Sequence, residues 1–202
     1  MAKLYFRYGA MNSGKSTALL QAVHNYREQG RAVLLLKPSV DTKGDAAVVS
    51  RLGVSREADI LVGPSDSIAD LVGPRLLASE YSAVFVDEAQ FLSRAQVDQL
   101  MDLVVRNDLP VLAYGLRTDF QTEPFPGAQR LLEIAHSIEE LKTICRCGKK
   151  AIMNSRKING LRVFDGEQVA IDGQETTYES LCASCYFQER DAAVAIPSVA
   201  LF

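Results

Sequence analysis

The sequence predicts an α/β fold: a parallel sheet flanked by helices, followed by a small β-rich metal-binding lobe. Three observations carry that expectation. Gly9-Ala10-Met11-Asn12-Ser13-Gly14-Lys15-Ser16 fits the phosphate-loop pattern G-x-x-x-x-G-K-[ST], between a strand-like run and a helix-like run. The short, unbroken apolar runs 32–36, 83–86 and 111–114 suit strands covered on both faces, as in a parallel sheet. All four cysteines fall late in the chain, as a C-x-C turn and a C-x₂-C turn.

Composition narrows the function classes. The chain has 202 residues, 48% of them hydrophobic, enough for one ordinary domain with a core and a small appendage. A net charge of -3 argues against a general nucleic-acid binder, which would carry a basic face. No apolar run approaches the length that spans a bilayer. Lys3 and Arg7 punctuate the first residues, so the start reads as a strand and not as a signal peptide. The cytoplasm is the expected compartment, where cysteines serve as thiols or metal ligands more than as disulfides.

Taken in order, residues 3–8 alternate as a strand, and 16–29 read as a helix with Ala18, Leu19, Ala22, Val23 and Tyr26 on one stripe and Gly30 as its stop. His24 falls beside that stripe as a surface histidine. Residues 39–58 show no period and read as a loop or flap, with Lys43 and Arg51 as candidate phosphate contacts or plain surface charges. A strand is expected over 58–62 and a helix over 66–79, with a break or kink at Gly73-Pro74. Residues 93–106 form a well-marked helix, with Ser93 as N-cap and Gln96 completing a capping box. Residues 115–127 are turn-rich, and their Phe120 and Phe125 are either exposed aromatics able to stack on a flat base or local core. A short helix follows over 129–135, with His136 at its end. From residue 137 the pattern changes to short β-like runs such as 168–171, and residues 191–202 show no period and read as a tail.

Two constellations carry chemistry. At the helix start, glycines let the backbone close around a polyphosphate with its N–H groups turned inward. Lys15 then reaches the terminal phosphates and the Ser16 hydroxyl ligates Mg²⁺. The run Ala83-Val84-Phe85-Val86-Asp87-Glu88-Ala89-Gln90 ends a buried strand in two carboxylates, which would bring Asp87 beside Ser16 to support the metal. Glu88 follows at the strand's C-terminal edge, where open α/β sheets place their ligands. In the second constellation Cys145, Cys147, Cys182 and Cys185 form two turns separated by 34 residues, the donor set of a tetrahedral structural Zn²⁺ site. Zinc would compensate for a lobe with little core of its own.

These features specify a nucleoside triphosphate with Mg²⁺ but not the phosphate acceptor. Glu88 as a base could activate water or a substrate hydroxyl. Asp87-Glu88-Ala89-Gln90 is also similar to a helicase motif, so a nucleic-acid-dependent P-loop ATPase with a zinc ribbon is the alternative. That reading requires a second motor lobe, for which the chain after residue 137 is too short. A non-catalytic zinc module would leave Lys15, Ser16, Asp87 and Glu88 unexplained.

The ordered set of motifs resembles the type II thymidine kinases, the family of the human cytosolic enzyme and many bacterial ones. The matching residues are Tyr8 to Thr17, Val86-Asp87-Glu88-Ala89-Gln90-Phe91, Tyr114-Gly115-Leu116-Arg117-Thr118-Asp119-Phe120, and the cysteine lobe with Thr177-Tyr178. The resemblance implies a RecA-like P-loop domain over 1–142, a zinc-binding lobe carrying a lasso loop over 143–190, and a tail over 191–202. It implies transfer of the ATP γ-phosphate to the 5′-hydroxyl of thymidine, with deoxyuridine as a further acceptor, and a role in nucleoside salvage. Glu88 would be the catalytic base. Gly9, Ala10, Met11, Asn12, Ser13, Gly14, Lys15, Ser16, Asp41, Lys43, Asp87 and Gln90 would hold ATP and its Mg²⁺. Met11, Phe120, Val169, Ala170, Ile171, Asp172, Gly173 and Tyr178 would hold the nucleoside, the stretch 169–173 through its backbone. A homotetramer and dTTP feedback are implied too, with no nucleic-acid or membrane partner. Two departures stand out. Lys43 occupies the place of an arginine in the family's Asp-x-Arg and lacks its bidentate fork. The C-x-C turn is tighter than the commoner C-x₂-C.

Overall fold

A computed structural model of the chain describes residues 1–39, 46–169 and 175–195. They form two compact units. The first comprises Met1–Tyr8, Gly14–Arg117 and Phe125–Leu141; the second comprises Gly9–Ser13, Thr118–Pro124 and the described residues from Lys142 onward.

The first unit is built on six parallel strands: β1 (Leu4–Tyr8), β2 (Val33–Pro38), β5 (Ile60–Val62), β6 (Ala83–Val86), β7 (Val111–Gly115) and β8 (Ser137–Glu140), in the order β5-β2-β6-β7-β1-β8. Every residue of β2, β6 and β7 is buried, which is what their unbroken apolar runs predict. Helix α1 (Lys15–Glu28) sets Leu19, Leu20 and Val23 against Val33, Leu35, Phe85 and Tyr114. Tyr26 meets Phe85 edge-on at 5.6 Å. Helix α3 (Arg94–Asn107) opens with the expected capping box: the Ser93 hydroxyl accepts from Gln96 N, and the Gln96 side chain accepts from Ser93 N. It buries Val97, Leu100 and Val104 on one stripe.

Four expectations need correction here. The stretch 39–58 holds a hairpin, β3 (Ala47–Val49) with β4 (Ser55–Glu57), whose three-residue strands are too short to show a period. Helix α2 (Ile68–Ala78) runs through Pro74 without a break, its first half anchored ahead of the missing N–H by the Ser67 cap and the buried Ile68 and Val72. Helix α4 (Pro126–Ile134) starts three residues before the expected position, with Pro126 in the first turn, where a missing N–H costs nothing. Residues 137–140, where the pattern changes to short β-like runs, instead add β8 to the edge of the parallel sheet beside β1. Its outward face leaves Ile138 46% exposed, so no buried-strand signature marks it.

Helix α4 approaches the 3-10 turn Ala89–Phe91 through a glycine. A Cβ on Gly127 would lie 2.5 Å from the Ala89 carbonyl oxygen and 2.6 Å from that of Leu92. Backbone cannot yield as a side chain does. Gly127→Ala is therefore expected to destabilise the protein by about 1–3 kcal/mol, measured as a lower midpoint in denaturant unfolding.

In the second unit, β11 (Met153–Ile158) pairs antiparallel with β12 (Leu161–Val163) and β13 (Thr176–Leu181), and β9 (Thr143–Ile144) pairs with β10 (Lys150–Ala151). Its core is small: Cys145, Ala151, Leu181, Cys182 and Tyr186, with Met153, Phe164 and Cys185 against them. Charge adds to it, since Glu179 receives Arg162 at 2.5 Å and Lys157 at 3.3 Å. Helix α5 (Ala183–Ala195) runs five residues into the stretch expected to be a tail. Its start is set by the second cysteine turn and by Tyr186, not by an apolar stripe, so periodicity could not mark it.

Candidate active site

In the first unit the strand-loop-helix junction ends on Gly14, which caps α1 in the left-handed region at φ 78. No side chain caps this helix and no acidic residue lies in its first turn. A bare helix N-terminus of this kind attracts an anion. Lys15 is 7% exposed. Burial pushes its ammonium pKa down, opposed by Glu88 and Asp87, with Arg51 adding to the fall.

Opposite this helix start, the Ser16 hydroxyl donates to Asp87 Oδ2 at 3.4 Å. Asp87 is buried at the end of β6, and its Oδ1 has no hydrogen-bond partner among the described residues. Burial, with the Glu88 carboxylate alongside, raises its pKa to about 7. A buried, half-satisfied carboxylate facing a hydroxyl fits a divalent cation, which would supply the missing partner and reverse the shift.

Glu88 turns the chain from β6 into the 3-10 turn in a left-handed conformation, φ 48 and ψ 38, uncommon for a residue with a Cβ. Gln90 Nε2 donates to Glu88 Oε2 at 2.5 Å, while Gln90 Oε1 accepts from Leu116 N at 3.0 Å. Gln90 is fully buried, so its amide ends are engaged within the fold. The contact requires a glycine at the end of β7: a Cβ on Gly115 would sit 2.6 Å from Gln90 Oε1. Nothing in the sequence marked Leu116 N as the far anchor of Glu88, because a backbone donor carries no residue signature.

In the second unit the first half of the glycine loop is held by polar strand residues. Met11 N donates to Asn154 Oδ1 at 2.7 Å, and Met11 O accepts from the Ser180 hydroxyl. Asn154 Nδ2 donates to Thr118 O at 2.8 Å. Phe120 is 1% exposed and Phe125, in the first unit, 4%, so neither is the exposed aromatic considered from sequence. The Arg156 guanidinium lies 3.4 Å from the Phe120 ring centroid and donates through Nη2 to Glu167 O at 2.5 Å. Asp119 accepts from Gln121 N, Glu123 N and the Gln168 side chain. Val169 and Tyr178 are half-buried. Asp41, Lys43, Ala170, Ile171, Asp172 and Gly173 lie outside the described residues. Sequence reading missed Asn154, Arg156, Asp119 and Ser180. A signal was available for two of them: Asn154-Ser155-Arg156 is a fully polar run, and these three are the buried residues of a strand that is otherwise half-buried.

The four cysteine sulfurs of the same unit all lie within 4.8 Å of one another, and Cys147 Sγ is 3.6 Å from Cys182 Sγ. Sulfurs sharing a tetrahedral zinc at about 2.3 Å stand about 3.8 Å apart, so the cluster could hold a zinc ion. The tight first turn accommodates this through Gly148 at φ 84, whose N–H donates to Cys145 O. Although burial opposes it, backbone N–H groups of Cys147 and Cys182 draw Cys145 down to about 6. Contact with Cys147 and Cys182 pushes Cys185 up to about 12. Four crowded thiols ionise together only when a cation offsets their charge.

Among the described residues no helix is long and apolar enough to cross a membrane. A family model described as thymidine kinase matches residues 2–186. A thymidine kinase of Legionella pneumophila is 49% identical over 205 residues, spanning all of this chain and 97% of that one. A thymidine kinase of Ruegeria pomeroyi is 50% identical, over 90% of this chain and 92% of its own. That of Enterobacteria phage T4 is 48% identical, over 90% and 94%. A solved Bacteroides Pif1 bound to ssDNA overlaps at a TM-score of 0.37 with 13% identity, covering 69% of this chain and 38% of that one, too weak to argue fold or function. With relatives near half identity over nine-tenths or more of both chains, and a family match running from residue 2 to residue 186, the chain belongs to the thymidine kinase family.

Proposed function

We propose that the protein transfers the γ-phosphoryl group of ATP to the 5′-hydroxyl of thymidine, giving dTMP for DNA synthesis. The observation that carries this reading is the carboxylate pair after β6: buried Asp87 facing Ser16, and Glu88 fastened by Gln90. Phosphoryl transfer asks little covalent chemistry of a protein, mainly positioning, charge neutralisation and one group to take the proton. Residues 9–16 hold the phosphates, with Lys15 on the terminal ones. Ser16 and Asp87 hold Mg²⁺, which when bound neutralises charge on the β- and γ-phosphate oxygens. Glu88 accepts the proton of the 5′-hydroxyl. Asp41 and Lys43 complete the nucleotide set, with Gln90 acting through its hold on Glu88.

On the nucleoside side we assign Met11, Val169 with the backbone of 170–173, and Tyr178, with Phe120 as the covered floor beneath the base. The cysteine cluster holds a structural Zn²⁺. A cytoplasmic homotetramer with dTTP as end-product ligand completes the reading. The nucleic-acid-dependent ATPase is not favoured, since the matching relatives are named thymidine kinases.

An acceptor screen tests the proposal. ATP consumption is expected to require a nucleoside and to be greatest with thymidine, with dTMP as product. ATP turnover stimulated by single-stranded DNA or RNA, without a nucleoside, would reject it.

A further inference from the structure

Three separate parts of the second unit meet one buried side chain. The Arg156 guanidinium stacks on Phe120 at 3.4 Å from the ring centroid. The same group donates to the Glu167 carbonyl, two residues ahead of Val169. In the β11–β13 ladder Arg156 is directly paired with Tyr178, which puts both side chains on one face of the sheet. Phe120, Val169 and Tyr178 are the residues assigned above to the nucleoside.

The chemistry of the residue fits this junction. A guanidinium is flat, so it can lie on an aromatic face while donating in its own plane. A lysine ammonium at the same place would keep the charge and lose the plane. Stability alone does not account for the choice. Arg156 is 3% exposed, and its Nε is buried without a partner among the described residues. An unpaired buried N–H is costly, and an apolar side chain would avoid that cost.

A second tie runs alongside. Gln168 Nε2 donates to Asp119 Oδ2 at 3.1 Å, joining the residue after Glu167 to the residue before Phe120.

We propose that Arg156 is a positioning residue for nucleoside binding, holding the floor at Phe120 and the stretch Glu167-Gln168-Val169 in place beside Tyr178. The proposal rests on the nucleoside reading given above. It makes no contact between Arg156 and the phosphates necessary, so its signature is selective. Thymidine affinity falls and ATP affinity does not.

Steady-state kinetics of the zinc-loaded enzyme provide the test. Arg156→Lys is expected to raise the thymidine KM roughly 10-fold, the loss of a stacked contact and a charge-assisted hydrogen bond, with the ATP KM unchanged. Gln168→Ala removes only the parallel tie at a half-buried side chain, and is expected to raise the thymidine KM roughly 3- to 10-fold. It keeps the proposal open to refutation if the arginine variant fails to fold. Cleavage after Glu167 by a glutamyl endoprotease is expected to quicken several-fold in both variants, independent of activity. A thymidine KM at the wild-type value in Gln168→Ala and in folded Arg156→Lys would overturn the proposal. So would equal rises in the KM of ATP and of thymidine, which would mark a purely structural role. If the wild-type enzyme itself accepts no nucleoside, it is the functional reading that fails.

Discussion

Glu88→Gln is expected to lower thymidine phosphorylation about 10²- to 10⁴-fold, the usual contribution of a positioned general base, and to leave ATP binding intact. The substitution is nearly isosteric, so it removes the proton acceptor with little change of shape. Two features make the loss specific. Glu88 sits in a left-handed conformation that the 3-10 turn demands, and glutamine meets the same backbone requirement. Its carboxylate receives Gln90 Nε2, a donor that a glutamine side chain at position 88 can still receive through its carbonyl oxygen. Fold and phosphate loop are thus preserved, and only chemistry changes. Single-turnover assays with saturating ATP and thymidine measure the chemical step directly. Near-normal turnover in the variant would remove Glu88 from the base role, leaving Asp87 or a water to take the proton.

Loss of the metal at the cysteine cluster is the second large effect expected. Among the described residues of the second unit the apolar cluster at the cysteines holds only Cys145, Ala151, Leu181, Cys182 and Tyr186 as buried members, too little apolar area to hold the unit by itself. Structural zinc in small domains contributes on the order of 10 kcal/mol, so the metal decides whether such a lobe folds. Elemental analysis of purified protein is expected to give about one zinc per chain. Cys182→Ser, which takes away the sulfur 3.6 Å from that of Cys147, is expected to lose that zinc and unfold the β11–β13 sheet. Near-ultraviolet circular dichroism of Phe164 and Tyr186, which stack edge-on in this unit, reports the change. Metal-free protein with full activity and an unchanged spectrum would contradict a zinc site.

Local chemistry was legible in the sequence wherever residue type and spacing carry it. The glycine pattern marked the start of α1, because glycine adopts the φ 78 at position 14 without strain and only a strand-loop-helix context gives the motif meaning. Unbroken apolar runs marked β2, β6 and β7, because strands covered on both faces are filled mainly by apolar side chains, with Lys37 at the end of β2 as an exception. The four cysteines marked a cluster that could hold a metal through their donor type and the spacing of their two turns. Elements held by something other than a period escaped notice. Edge strand β8 is kept by backbone pairing with β1, and α5 by the cysteine turn at its start.

What only the tertiary structure decided concerns side chains whose partners are distant in sequence. Gln90, expected among the residues that hold ATP, is instead found with its Oε1 accepting from Leu116 N, 26 residues on, and its Nε2 donating to Glu88. Asn154 and Ser180 read as ordinary strand residues until Met11, more than 140 residues earlier, is found between them. Arg156 carries no motif, and its role rests on Phe120 and Glu167, which it meets only in the fold. Hydrogen bonds to backbone and stacking on a ring depend on position and not on the partner's identity, so no motif records them. The sequence by itself determined which groups can hold phosphate, metal and proton; the tertiary structure decided which buried polar residues hold those groups in place, because that depends on distances the chain sets only when folded.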